Sequence, residues 1–335
     1  MSDPRVEFGV NVNNRVPVLN PEEYPPWSMV ELAREAEALG FDAVWVGDNF
    51  LARSRYECLT TLAVIAGATR RVKLGTAVLV GPLRHTLWLA LTWASLDQLS
   101  GGRTILNLAV GGGVSEASER EVTREYAACG VPYRQRGRYL EDQIVVLRRL
   151  WTEEAVEHRS EFHVLDGVSL HPRPLQRPAP PIWLANNPQM YGVASPVVER
   201  MMRRVGRLAD GWMTNAARPE QIRTFLAAIR AQAREAGRDP EAITPAYQMT
   251  LNINADRARA RQEAVDYINR YYFTEYQEIG ESYWHADPFG TPEQCAACIR
   301  GFIDAGVRSF SLRFASPDQV GQLRRFTESV LPALR

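Results

Sequence analysis

The chain has 335 residues, 45% of them hydrophobic, and equal numbers of basic and acidic side chains, 39 of each. That is ample for a large core, while a balanced charge gives no field to hold nucleic acid or an anionic membrane. No apolar run is long enough to span a bilayer, MSDPRVEFGV does not read as a secretion signal, and four cysteines make no disulfide framework, so a cytoplasmic protein is expected.

In chain order, Val6 to Val12 reads as a first strand ending at Asn11 and Asn13. A Pro-rich loop leads to a helix that carries Leu32, Ala36 and Leu39 and stops at Gly40, with Ser28 as N-cap and Glu31 completing a capping box. Phe41 to Val46 is strand two, running into Gly47-Asp48-Asn49; Glu57 to Ala68 is helix two, and Val72 to Val80 is strand three. Leu87, Leu91, Ala94 and Leu99 fall at helical spacing before the turn Ser100-Gly101-Gly102, and Arg103 to Val110 is an apolar strand that ends at three glycines. A buried strand that runs into such a loop is where α/β folds place ligands, because glycine lets the backbone approach closely.

The polar connection from Gly111 to Arg134 exceeds ordinary loop length and is expected to be partly helical. Helix four covers about Gly137 to Trp151, and a short hairpin within Val156 to Pro180 is expected to lie over the rim. Strand five is Pro181 to Ala185, ending at Asn186-Asn187; helix five is Pro196 to Leu208 and strand six Asp210 to Thr214. Helix six is Pro219 to Ala236, strand seven Ala246 to Ile253, and helix seven runs from Asp256 toward Tyr272. A Tyr- and Glu-rich segment follows, and the aromatic group Tyr271, Tyr272, Phe273, Tyr276, Tyr283 and Trp284 before strand eight is a candidate lining for the substrate pocket or a dimer surface. A capped helix from Thr291 to Ala305, strand eight (Val307 to Phe314) and a helix from Pro317 to Leu331 complete the chain.

Eight strand–helix units in succession point to one (β/α)8 TIM-barrel domain over residues 1–335. Its insertions follow strands four and seven, and the rim hairpin precedes strand five. In a barrel the active site lies at the C-terminal strand ends. Those ends here are Asn11, Asn13, Asp48, Asn49, Ala77, Val78, Val110 to Gly113, Asn186, Asn187, Thr214, Asn215, Asn252 and Arg313. They offer no His/Cys cluster with metal-ligand spacing and no paired carboxylates. A mouth of amides, small residues and glycine suits a flat, hydrogen-bonding heterocycle that carries the chemistry while the protein orients it. His85, just after strand three, is a further site candidate, and Arg84 is a candidate for a phosphate or a surface ion pair. Cys295 and Cys298 fall inside a helical pattern and read as packing, and Arg103 reads as structural.

The motifs AREAEALGFDAVWVGD (Ala33–Asp48), ATRRVKLGTAVLVGPLRH (Ala68–His85), LDQLSGGRTILNLAVGGG (Leu96–Gly113) and LHPRPLQRPAPPIWLANN (Leu170–Asn187) follow one another in order. In these the chain resembles the luciferase-like superfamily of flavin- and deazaflavin-dependent oxidoreductases. The resemblance implies the same barrel, a ring lying across the strand ends, and a non-proline cis peptide at Ala77-Val78 against its face. It further implies that Val110, Gly111 and Gly112 meet the ring edge or ribityl chain, and that Ala185, Asn186 and Asn187 bind the ribityl-phosphate region. Asn11 joins this cofactor-binding set.

Reduced coenzyme F420 or reduced FMN is the implied cofactor, with a small organic substrate, a separate flavin or F420 reductase, and a homodimer. Hydride transfer with F420, oxygenation with FMN by a two-component monooxygenase, and a non-catalytic flavin-binding relative are the three readings. Many relatives have His after the acidic residue that ends strand two, and this chain has Asn49, which is neither acid nor base near neutral pH. Asp48, Asn49 and His85 are the candidates for chemistry.

Overall fold

The computed structural model describes residues 5–51, 53–112, 116–192, 195–215, 217–272 and 288–335. Within it, eight parallel strands close on themselves: β1 (Glu7–Val12), β2 (Ala43–Val46), β3 (Lys73–Thr76), β4 (Thr104–Ala109), β5 (Ile182–Ala185), β6 (Gly211–Thr214), β7 (Thr244–Ile253) and β8 (Ser309–Phe314). Closure is made where β8 pairs back onto β1, with Glu7 opposite Ser309 and Val10 opposite Leu312. The helices around them are α1 (Ser28–Ala38), α2 (Cys58–Ala68), α3 (Thr86–Ser100), α4 (Glu116–Ala128), α5 (Arg136–Thr152), α6 (Pro196–Leu208), α7 (Pro219–Glu235), α8 (Arg257–Tyr272), α9 (Pro292–Asp304) and α10 (Gln319–Arg325). This is the expected (β/α)8 barrel. Among the described residues, no helix is long and apolar enough to cross a membrane.

Side-chain alternation along the strands separates two cores. Phe8, Val10 and Val12 of β1 face the helices and join the large outer core. The inward set is smaller, built on Ala43, Trp45, Ala77, Ile105, Trp183, Met213 and Ala246. Trp45 and Trp183 pack at 5.3 Å between ring centroids. Glycines on adjacent strands make room for them. A Cβ at Gly9 would lie 2.4 Å from Trp45 Nε1, one at Gly75 2.2 Å from Trp45 Cε3, and one at Gly211 2.6 Å from the Trp183 ring. The barrel is thus plugged by two indoles at the level of mid-strand, leaving its C-terminal end for a site.

The opposite end is bolted. Asp97, fully buried, accepts from Thr104 Oγ1 at 2.7 Å and from the backbone N–H groups of Leu175 and Gln176. Arg103 donates to the carbonyls of Ala66, Thr69, Val72 and Ser100, so its role is structural.

Four local expectations change. Ser28 is not an N-cap: the Pro25-Pro26-Trp27 turn is already helical at Trp27 (φ −70°, ψ −14°), and the Ser28 N–H is taken by the Pro25 carbonyl. Strand three is broken at the cis peptide Ala77-Val78, and Leu79–Val80 resumes pairing beside Leu108 and Ala109. The hairpin of Val156–Arg159 and Val164–Val168 leans on the flank of α5 instead of covering the rim, because Asp142 of α5 holds His158 Nε2 at 2.8 Å and His163 Nδ1 at 2.6 Å. The last helix is α-helical only to Arg325 and then widens and tightens before Pro332, which has no N–H to continue it. The connection after strand four does contain a helix, α4. Gly113 and, of the aromatic group, Phe273, Tyr276, Tyr283 and Trp284 lie outside the described residues, while Tyr271 and Tyr272 end α8.

Candidate active site

The ends of β2 and β3 are joined by a charged knot. Asp48, with 2% of its side chain exposed, accepts from Arg84 Nη2 at 2.8 Å through one oxygen and from the Val80 N–H at 3.1 Å through the other. Arg84 also reaches Glu57, the N-cap of α2, at 3.2 Å. Burial pushes the Asp48 carboxyl above its ordinary range, against the pull of the Arg84 guanidinium and the Val80 N–H. Burial also pushes Glu57 upward, but the Thr60 and Leu59 N–H groups and Arg84 win and hold it below its usual range. Arg84 itself is raised: burial disfavours its charge, and the two carboxylates outweigh that. Asp48 therefore fixes the segment after the cis bond. Its own N–H donates to the Val78 carbonyl at 3.1 Å.

The strand-three loop is gripped from the other side by Gln143 of α5, which is fully buried. Its Nε2 donates to the carbonyls of Gly81 and Arg84, each at 3.1 Å. The loop after β4 is held likewise. Tyr126 of α4 donates its hydroxyl to the Val110 carbonyl at 2.5 Å, and Glu125 accepts from the Leu51 N–H. Neither Gln143, Tyr126 nor Glu125 was singled out in the sequence. Gln143 carried a signal, being a polar residue within the apolar stripe of Leu140, Ile144 and Leu147.

Gly111 sits at φ +63°, and a Cβ there would stand 3.0 Å from Val80 Cγ1; Gly112 is exposed with open space around it. At the end of β5, Asn186 Oδ1 accepts from Trp212 Nε1 at 3.1 Å, and Asn187 Oδ1 accepts from Thr214 Oγ1 at 3.1 Å. Both amide oxygens are thereby committed to β6, while the Nδ2 groups make no hydrogen bond to the described residues. Ala185 lies beside them, half-buried. Asn11 is buried on the inward register of β1, its Nδ2 directed to Ser311 Oγ at 3.5 Å. Asn49 is half-buried, and its Oδ1 is shielded from solvent with no donor to meet it among the described residues. His85 is exposed at the N-terminus of α3 and makes no cap with its side chain, so it stands outside the knot that its neighbour Arg84 completes.

Among the described residues, no group of His, Cys, Asp and Glu side chains is placed to hold a metal ion. Cys295 is buried with its thiol against backbone carbonyls, and burial pushes it up to about 12.

The sequence pattern of the luciferase-like monooxygenase family matches residues 6–289. The chain belongs to that family. Among its luciferase-like relatives is the F420-dependent glucose-6-phosphate dehydrogenase of Amycolatopsis mediterranei, 25% identical with 94% of this chain and 96% of the relative covered. The F420-dependent hydroxymycolic acid dehydrogenase of Mycobacterium tuberculosis is 29% identical, with 95% and 87% covered. Among solved structures, the monooxygenase RslO1 from Streptomyces bottropensis superposes with a TM-score of 0.79 at 25% identity, covering 98% of this chain and 100% of that one.

Proposed function

We propose that this protein is a cytoplasmic oxidoreductase that uses reduced coenzyme F420 for hydride transfer with a small organic substrate. The observation that carries the reading is the solvent-shielded Asn49 Oδ1 at the end of β2, unpaired among the described residues, beside the cis peptide at the end of β3. A buried acceptor left unmade costs free energy, and a ring N–H at the mouth would satisfy it. The loop after β4 fits the same purpose. Gly111 keeps it close to Val80 with no side chain above, which leaves a cradle for a planar edge. The Nδ2 groups of Asn186 and Asn187, aligned by their oxygens' bonds to β6, are donors suited to a phosphate. The F420-dependent dehydrogenases at 25% and 29% identity favour the deazaflavin over FMN.

When bound, the reduced deazaflavin supplies a hydride. The protein's own part is to hold the strand-three bulge rigid through Asp48, Arg84 and Gln143, and to offer Asn49 as a hydrogen-bonding group. His85, at the open edge, is the acid/base candidate for a substrate that reaches the surface side. A separate F420 reductase would restore the cofactor.

A second reading, a two-component monooxygenase fed with reduced FMN, is favoured by the likeness to RslO1. Titrating the purified protein with F420 and with FMN, each followed by fluorescence, separates the two. Tight binding of FMN and none of F420 would overturn the first reading. Retention of both cofactors with no turnover of any substrate would leave the non-catalytic reading.

The homodimer is part of the same proposal. Val64 of α2 and Trp88 and Leu99 of α3 are exposed by 54%, 69% and 84%, an apolar face that a second copy of the chain would cover. Sedimentation of the wild type should give a dimer, and of Trp88→Glu a monomer.

A further inference from the structure

We propose that the cavity between the turn after β1 and helices α1, α8 and α10 is a second ligand site. It would take a neutral, mostly hydrocarbon molecule carrying a single acceptor oxygen. The cavity measures about 260 Å³, and Val12, Val16, Pro17, Met29, Leu32 and Val320 supply its apolar wall. Val12 belongs to the helix-facing register of β1, so this space lies in the layer between barrel and helices. It reaches the strand ends only through Asn13, includes none of Asp48, Asn49, Gly111, Asn186 or Asn187, and stands or falls independently of the cofactor reading.

The chemistry follows from two of the polar groups in the wall, Asn13 and Tyr267; Tyr24 and Gln319 already donate to the Pro317 and Phe314 carbonyls. Asn13 Oδ1 accepts from the Arg15 and Val16 N–H groups at 3.1 and 3.3 Å, which fixes the orientation of its amide. Its Nδ2 then donates to the Tyr267 hydroxyl oxygen at 2.8 Å. The phenol is the acceptor in that bond, so its own proton must be directed elsewhere. None of the described residues accepts it, and Tyr267 lines the cavity. A ligand oxygen there would complete the pair.

Charge narrows the class further. Glu31 and Asp318 stand at the rim, and none of the lining residues is basic. A carboxylate or phosphate finds no cation in this wall, the nearby Arg325 being held by Asp318, and an ammonium has no lone pair for the phenol proton. The volume lies below that of drug-sized pockets, which suits a molecule of about ten heavy atoms.

Two probes of equal shape test this: acetophenone, which has the acceptor oxygen, and 2-phenylpropene, which has a methylene in its place. Calorimetric titration of the full-length protein should give acetophenone about tenfold tighter binding, the worth of one hydrogen bond. Tyr267→Phe should remove that preference while 2-phenylpropene binds as before. Val320→Trp, which fills the cavity from its rim and spares the Asn13–Tyr267 bond, should abolish binding of both. Saturating F420 or FMN should change neither. A preference that survives Tyr267→Phe, binding that survives Val320→Trp in a folded protein, or competition by either cofactor would overturn the proposal, as would no binding of either probe.

Discussion

Arg84 and Asp48, 36 residues apart, meet at 2.8 Å with their side chains 14% and 2% exposed, and this pair ties the loop after β3 to the end of β2. Removing one member leaves the other's charge buried, which typically costs about 3–5 kcal/mol. Arg84→Met should therefore destabilise the protein by about 2–4 kcal/mol at neutral pH, since Arg84 is partly solvated. The sign with pH follows from both acids. Asp48 is already raised by burial, and losing the guanidinium raises it further, so its penalty grows as pH rises above the unfolded carboxyl range. Glu57 is lowered by the Thr60 and Leu59 N–H groups and in part by Arg84, so the Arg84 share of its stabilisation, present above that range, is lost too. Urea melts between pH 4 and 8 should show the deficit smallest in acid and largest at neutral pH. A deficit independent of pH would contradict the assignment.

Gly111 combines a left-handed backbone with a neighbour 3.0 Å from where a Cβ would stand. Gly111→Ala should cost about 1 kcal/mol in stability from the backbone alone. Gly111→Leu should keep the fold yet weaken cofactor binding at least tenfold, because its side chain would occupy the cradle above Val80. Fluorescence titration beside a thermal melt checks both. Unchanged affinity in folded Gly111→Leu would move the ring's edge elsewhere.

The barrel plug makes a different prediction. A Cβ at Gly75 would sit 2.2 Å from Trp45 Cε3, closer than any side chain can tolerate. Gly75→Ala should destabilise by about 2–3 kcal/mol through overpacking. In a Trp45→Leu background the same change should cost far less, because the space it needs has been vacated. A double-mutant cycle in urea should yield a coupling of about 1–3 kcal/mol. Additive costs would mean that the indole does not fill that space.

The strands, their order and their C-terminal ends were legible because each buried strand is a short apolar run between a capped helix and a turn. What the sequence left hidden depends on contacts between distant residues. Arg84 read as a surface pair ahead of a phosphate ligand, since nothing local says that it folds back onto Asp48. The hairpin's place was misjudged for the same reason: His158 and His163 show no ligand spacing, and only the fold brings Asp142 between them. Gly9 and Gly75 look like weak points in their strands until the fold lays the Trp45 indole over both. Asn186 and Asn187 read as turn residues or phosphate donors, and the fold spends their oxygens on β6.

The last prediction concerns Asn49. Its Oδ1 is shielded and unpaired among the described residues, whereas both oxygens of Asp48 are already engaged. If Asn49 contributes a hydrogen bond to the bound ring or substrate, Asn49→Ala should lose about 1–3 kcal/mol, or roughly one to two decades in kcat/KM. An amide does not titrate, so the shape of the pH–rate profile should stay as in the wild type. Asn49→Asp keeps the acceptor and adds a charge, and should introduce a new pH-dependent limb. Asp48→Asn should act mainly through stability, because its carboxylate serves Arg84 and Val80. His85→Gln should remove a wild-type limb if an acid or base works at the open edge. These four variants are to be measured against pH with whichever reduced cofactor binds. If Asn49→Ala keeps the wild-type rate while the protein stays folded, the end of β2 is scaffold, and the chemistry must be sought along β7 and β8, where Arg313 donates to Thr250.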